Sequence, residues 1–343
     1  MDIGVDVLYC RHILMLFTGR NKIMFYNILF NVFCIFLMMV PGFVAVKQGY
    51  FSRTTIAETS TLMVRFIYPC FIFHAIIDSF SFRELVSSWT LPAICLGLMF
   101  FGYFVGIAVI RLMKFNSEDE KTGFIFQCTL NNYSFLPLPL VMFMYGIKGA
   151  AALIFSSFGA EIAVWTLGVF ILEGRKLHLK NLKHLLSPPL VSLYIAMIVL
   201  FVFDRVGIDT KIFFYSESFG LTYFFKTIGT IGLATIPLAI IIAGGRIAEV
   251  PHSGLRNYRV WILSFLRLIA IPATAIVIIK LLPLPEMTEK IMLVVAVMPV
   301  SIASILFSEI YKIENSFITV TVFVTHILSL ITVPVMLTLA MKF

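Results

Sequence analysis

Long apolar runs separated by short polar connections make up most of the chain after residue 26. A helix needs about 20 mostly apolar residues to cross the hydrocarbon core of a bilayer. The pattern predicts an all-α membrane protein with ten transmembrane helices. These predicted spans lie at 27–47, 57–78, 89–112, 121–145, 148–172, 188–204, 221–245, 257–281, 288–310 and 316–341.

Composition and charge favour the same class. The 343 residues are 60% hydrophobic and 13% charged, whereas soluble proteins are about 45–50% apolar and about 25% charged. The net charge of +8 comes from Lys and Arg placed between the apolar runs, so we interpret it as orienting the helices rather than binding nucleic acid. The connections on one side hold more of these residues, which predicts that side to be cytoplasmic and both termini to lie outside.

Two segments that are interrupted by charged residues lie outside the predicted spans and mark the organisation of the chain. Residues 1–26 form an N-terminal tail whose Arg11, Arg20 and Lys22 lie on the side predicted to be outside. Translation from Met24 would remove this conflict, so the tail is interpreted as a start-site artefact that N-terminal sequencing can test. The basic connection 173–187 separates a first repeat, 27–172, from a second, 188–343.

Five spans in each half place the halves in opposite orientations, which predicts the inverted repeat found in many secondary transporters. The fourth and ninth spans occupy corresponding positions, and each contains internal proline: Pro137 and Pro139 in one, Pro299 in the other. Proline removes a backbone donor and interrupts a helix. We therefore predict that these two helices are broken and cross each other, although simple proline kinks would give the same pattern.

Polar residues accompany the predicted breaks. The run Asn131-Asn132-Tyr133-Ser134 lies at mid-membrane depth, where amides and hydroxyls need partners. Such groups either join neighbouring helices or line a cavity, and broken helices at matching positions favour the cavity. The predicted substrate-binding residues are Asn131, Asn132, Ser134, Pro137, Pro139, Pro299, Ser301 and Ser304.

Ionisable residues within the spans are costly in lipid and are therefore candidate functional residues. Glu161 and His326 occupy nearly equivalent positions in the two helices that follow the broken spans, and either is a candidate carrier of a coupling proton. Arg65 and Arg267 are candidate anion-binding residues, because guanidinium holds a carboxylate by two hydrogen bonds. The alternatives are hydrogen bonds to neighbouring helices for the first pair and snorkelling to the interface for the two arginines.

Short motifs in five spans resemble those of the auxin efflux carrier family, and the resemblance covers nearly all of 27–341. No single motif is highly specific, but all five occur in the family's order. They are Pro41-Gly42-Phe43 in the first span, Pro69 with Phe73-His74 in the second, Asn132 with Pro139-Leu140 and Tyr145-Gly146 in the fourth, Met298-Pro299 with Phe307-Ser308-Glu309 in the ninth, and Ser329-Leu330 with Val333-Pro334 in the tenth.

This resemblance implies a transport domain made of spans three to five and eight to ten, with the fourth and ninth crossing at its centre. It implies a scaffold made of the other four spans, through which two subunits often pair. Ser304 replaces a proline of the plant carriers, and 173–187 is far shorter than their cytoplasmic loop. Both features match compact bacterial permeases of the inner membrane, which are associated with small organic acids such as malate or malonate.

The sequence thus predicts a secondary transporter of a small organic anion that works by alternating access. A sodium-coupled symporter of the related bile-acid symporter fold is the main alternative, and a channel is a further one. An intramembrane enzyme is disfavoured because the chain has no GxSxG or HExxH motif. The five cysteines form no CxxC pair, so no metal or other cofactor is expected.

Overall fold

The computed structural model describes residues 20–174, 183, 185–209, 220–248, 255–313 and 316–342. Residues 1–19 of the tail and most of the connection 173–187 therefore lie outside the described residues. The main helices of the described ranges are α1 (Arg20–Lys47), α2 (Arg53–Ser79), α3 (Phe82–Ile110), α4 (Glu118–Thr129), α5 (Pro137–Leu172), α6 (Pro188–Val206), α7 (Thr222–Ala248), α8 (Tyr258–Leu281), α9 (Glu286–Ala296), α10 (Ala303–Ile310) and α11 (Ser316–Lys342).

Eight helices in these ranges are long and apolar enough to cross a membrane: α1, α2, α3, α5, α6, α7, α8 and α11. Each of the eight predicted spans other than the fourth and the ninth is overlapped by one of these helices. The prediction of an all-helical, multi-pass membrane protein is thereby confirmed.

The fourth and ninth predicted spans are each interrupted by non-helical backbone. Helix α4 ends at Thr129 and α5 begins at Pro137, while α9 ends at Ala296 and α10 begins at Ala303. Pro137 and Pro139 lie in the first turn of α5 instead of inside the break. A proline is well tolerated there, because the first backbone N–H groups of a helix have no intrahelical partner. The polar run at 131–134 forms the break itself.

A second interruption separates the two parts of α5. Gly146 has φ 65° and ψ −160°, a conformation that is costly for residues with a Cβ. It divides α5 into residues 137–145, which complete the fourth predicted span, and the remainder, which is the fifth. The chain thus passes from one span to the next with only a single non-helical residue.

Glycines bring helix backbones into direct contact within two groups of helices. A Cβ on Gly42 of α1 would lie 1.9 Å from the carbonyl oxygen of Ile241 in α7, and one on Gly102 of α3 would lie 2.2 Å from that of Cys128 in α4. We call α1, α2, α6 and α7 the first bundle, and α3, α4, α5, α8, α9, α10 and α11 the second bundle. None of the described glycines has its nearest neighbours in the opposite bundle.

Adding a methyl group at one of these contacts should destabilise the second bundle. A Cβ on Gly159 would lie 1.9 Å from the carbonyl oxygen of Pro92, so α5 and α3 must separate in Gly159→Ala. Overpacking of this kind costs about 1–3 kcal/mol. Thermal unfolding of the purified protein should show a lowered midpoint. Gly97→Ala, on the exposed face of α3 with nothing within 4 Å, is the matched control and should not lower it.

Candidate functional site

The two interrupted helices cross and pair through their non-helical backbones. The N–H of Asn132 donates to the carbonyl of Pro299 at 2.8 Å, and the N–H of Ser301 donates to the carbonyl of Leu130 at 3.2 Å. Asn131 and Val300 form an antiparallel bridge between the same segments. Backbone groups freed from a helix in a membrane need partners of this kind. We call residues 130–136 and 297–302 the crossover.

Two neighbouring amides fix the crossover to the helices around it. Asn131 Nδ2 donates to the carbonyl of Val295 at 2.5 Å, at the end of α9. Asn132 Oδ1 accepts the N–H of Leu136 at 3.3 Å, just before α5 begins, and its Nδ2 lies 3.4 Å from His326 Nε2. His326 Nδ1 lies 2.7 Å from the carbonyl of Val322, so this nitrogen carries the proton and Nε2 accepts.

A cavity of about 90 Å³ lies against the crossover. Its polar wall contains Asn132, Ser134, Ser301 and Glu161. A larger cavity of about 260 Å³ shares Glu161 and Ala303 with it and extends to Ser187 and Arg246. Side chains of both bundles line the two cavities, since Val64 and Pro189 belong to the first bundle. The site therefore lies between the bundles.

Glu161 is the acidic residue common to both cavities. The hydroxyl of Tyr133 donates to its Oε1 at 2.9 Å, and the indole N–H of Trp165 donates to its Oε2 at 3.1 Å. Trp165 stands one turn beyond Glu161, in a π-helical turn at Val164–Gly168. Such turns are frequent at functional sites. This one places an indole and a carboxylate together at the cavity wall.

The amino-terminal ends of α5 and α10 both face the smaller cavity. Ser134 and Phe135, just before α5, line it, as do Ser301 and Ala303 at the start of α10. The hydroxyl of Tyr68 lies 3.2 Å from that of Ser134 on the opposite wall. The aligned peptide dipoles of a helix give its start about half a positive charge. At α5 an anion meets this dipole rather than free N–H groups, because Pro137 and Pro139 have no N–H and the N–H of Leu138 donates to the carbonyl of Ser134 at 3.0 Å. Two helix starts and several hydroxyls make a setting in which an anion is stabilised.

The family assignment agrees with this architecture. The family described as membrane transport protein matches residues 27–181 and 176–337. The chain belongs to this family. An uncharacterized transporter from Methanocaldococcus jannaschii is 25% identical over 312 residues, which cover 88% of this chain and 95% of that protein. The resemblance to the auxin efflux carrier family is thereby confirmed, and the chain is a membrane transporter.

The transporter's predicted site residues fall into three positions. Asn132, Ser134, Ser301 and Glu161 line the cavities. A second set is buried in the packing around the crossover and lines neither cavity: Asn131, Pro137, Pro139, Pro299, Ser304, His326 and Arg267. Arg65 is exposed on α2 and also lines neither of them.

Several residues of the transporter's cavities were not among the predicted ones: Tyr68, Tyr133, Trp165, Arg246 and Ala303. Two of them left a signal in the sequence, because Tyr133 belongs to the polar run and Trp165 stands four residues after Glu161. Residues four apart share a helix face. Within the described ranges, no group of three or more His, Cys, Asp or Glu side chains is placed to hold a metal ion.

Proposed function

We propose that this protein is a secondary active transporter that moves an organic anion by alternating access. The observation that carries the proposal is the meeting of two helix starts, α5 and α10, at a cavity lined by both bundles. Broken helices whose amino-terminal ends point at an anionic group are a recurring design of transporter sites. The anion binds at the crossover, near Ser134, Ser301 and Ala303.

The second bundle moves against the first during transport. Its helices correspond to predicted spans three to five and eight to ten, and the two halves of the chain form inverted repeats in this proposal. Close glycine contacts lie inside each bundle and not between them, which favours sliding at the boundary over deformation within a bundle. The first bundle then serves as scaffold, and two subunits pair through its helices.

The cavity opens toward the cytoplasm in this proposal. Ser187 and Arg246, which line the larger cavity, adjoin the connections that carry the excess of Lys and Arg. These connections lie inside by the positive-inside rule, with both termini outside. The membrane is the bacterial inner membrane, in keeping with the compact form of the chain.

The lining of the larger cavity bears on the class of substrate. Most of its wall is apolar or aromatic, including Phe135, Trp165 and Phe307, while Arg246 supplies a positive charge at one end. An organic acid with an apolar body can bury that body against this wall and direct its carboxylate toward the helix starts or the guanidinium. Malate and malonate, which are polar throughout, match this wall less well.

Glu161 is the residue that we propose to couple proton movement to transport. It lines both cavities, where this proposal places the substrate, whereas His326 is fully buried and lines neither. Both nitrogens of His326 have partners, so its protonation requires Asn132 to turn away. Sodium coupling is the alternative mechanism. Uptake into vesicles with an imposed pH gradient or an imposed sodium gradient distinguishes them.

Countertransport tests the proposal as a whole. Proteoliposomes containing the purified protein are loaded with unlabelled malate, malonate or phenylacetate, and uptake of the same labelled acid is measured. A carrier should take up at least one of them faster when preloaded, because the loaded site returns across the membrane more readily. Flux that is linear in concentration and indifferent to preloading would identify a channel and contradict the proposal.

Filling the cavity should block transport without unfolding the protein. Ala303 lines both cavities at the start of α10, so the indole of Ala303→Trp would occupy the space assigned to the anion. We expect uptake of the accepted acid to fall at least about tenfold, which corresponds to 1.4 kcal/mol. Ala93→Trp, on the exposed face of α3, introduces the same group outside the site and should retain uptake.

A further inference from the structure

Arg267 is placed at the point where two helices end. It belongs to a π-helical turn of α8, Leu266–Ala270, and its side chain is only 2% exposed. The guanidinium donates from Nη1 to the carbonyl of Cys128 at 3.2 Å and from Nε to the carbonyl of Met298 at 3.3 Å. One side chain thus joins the last turn of α4 to the second segment of the crossover.

Both carbonyls belong to the carboxyl-terminal ends of the broken helices. Cys128 is in the last turn of α4, and Met298 is the second residue after α9. The last carbonyls of a helix have no intrahelical partner, and each helix end carries about half a negative charge. Two such ends meet here in the membrane interior, and the single positive charge of a guanidinium matches their combined charge of about −1.

Backbone carbonyls, rather than a carboxylate, are the described hydrogen-bond partners of this buried charge. An arginine without compensation at this depth is costly, so the helix ends and the guanidinium stabilise each other. Arg267 lines neither cavity, and the helix starts that face the cavities lie at the other side of the breaks. The positive charge therefore contacts the carboxyl-terminal ends of the broken helices, away from the helix starts that face the cavities.

We propose that Arg267 is a built-in counter-cation that binds the carboxyl-terminal ends of α4 and α9 and so sets the crossing of the two broken helices. It is a positioning residue and not a ligand of the transported anion. The protein needs no separate metal cation at these carbonyls, because a guanidinium already occupies them. Of these statements, only the one that Arg267 does not bind the transported anion rests on the proposed function.

Three substitutions separate charge from packing. Arg267→Lys keeps a positive charge on a slightly shorter side chain, Arg267→Met keeps a long side chain without charge, and Arg267→Ala removes the side chain so that a small cation can be added. Thermal unfolding of each purified protein is measured in detergent with low millimolar methylguanidinium chloride or with choline chloride at the same concentration. The assay requires no substrate, so its failure and the failure of the transport proposal are distinguishable.

We expect Arg267→Lys to be more stable than Arg267→Met. Methylguanidinium should raise the unfolding midpoint of Arg267→Ala by on the order of 2–4 °C, because binding to the folded state stabilises it, and should leave wild type and Arg267→Met unchanged. Equal or greater stability of Arg267→Met, or an identical shift in every variant, would overturn the proposal. If Arg267→Ala does not fold, the difference between the unfolding midpoints of Arg267→Lys and Arg267→Met tests the proposal.

Discussion

Replacement of Glu161 by Gln is expected to abolish the response of transport to a pH gradient. Glutamine has nearly the same size, and its carbonyl oxygen can accept from the indole N–H of Trp165 while its NH2 donates to the hydroxyl oxygen of Tyr133, but it cannot release or bind a proton. The gradient-driven component of uptake should fall to the level of protein-free liposomes. Initial rates in proteoliposomes with the gradient imposed in either direction measure this component, with the acid identified by countertransport.

Two comparisons make this result specific. Glu309→Gln removes an exposed carboxyl near the end of α10 and should leave the response to the gradient intact. His326→Gln should alter stability at the crossover but keep the response, because His326 lines neither cavity. If Glu161→Gln retains the response and His326→Gln loses it, the imidazole carries the proton and the assignment of Glu161 is wrong.

The second large effect is expected at a buried ion pair between α4 and α8. Glu120 Oε1 lies 3.5 Å from Arg259 Nη1, and both side chains are less than a tenth exposed, at 7% and 9%. The carboxylate also accepts from Asn257 Nδ2 at 2.5 Å and from the N–H of Asn116 at 3.0 Å. Glu120→Ala leaves the guanidinium with hydrogen bonds to the carbonyl of Lys114 and to Asn116 but without its only described carboxylate partner, and should destabilise the protein by about 3–5 kcal/mol.

Thermal unfolding of purified variants checks this expectation, and Glu118→Ala is its control. Glu118 lies two residues away on the same helix and pairs with Lys121 at 3.1 Å, but its side chain is 83% exposed. Exposed pairs contribute about 0–1 kcal/mol, so the midpoint should hardly change. Removing Arg259 as well as Glu120 should recover part of the loss. Similar shifts for Glu118→Ala and Glu120→Ala would mean that burial of the pair is unimportant.

The helices were predictable from the sequence because membrane helices need long apolar runs. The predicted spans other than the fourth and ninth each overlap a long apolar helix in the described ranges. The two breaks were also predictable, since proline and a polar run in lipid mark an interrupted helix. Their limits were not, because Pro137 begins α5 rather than breaking it. A proline removes no intrahelical hydrogen bond either in the first turn of a helix or just outside the helix. The sequence pattern therefore does not show on which side of the helix start the proline lies.

The roles of the ionisable residues depended on what surrounds them. Glu161 and His326 stand at nearly equivalent sequence positions, yet one lines the cavities and the other is buried with both nitrogens bonded. Arg65 and Arg267 are alike in the sequence, and only Arg267 reaches the crossover. Helical periodicity gives the face of each side chain, but not which neighbouring helix that face meets.

The sequence by itself determined the membrane class, the helical spans and the segments where two helices are interrupted, because these follow from hydropathy and backbone hydrogen bonding within one stretch of chain. Only the tertiary structure decided that Asn132 pairs with Pro299 across the crossover, that Glu161 lies at the cavity wall and that Arg267 binds two helix ends. These contacts join residues far apart in the chain, and packing between helices in lipid is set by close fit and polar pairing rather than by any local pattern.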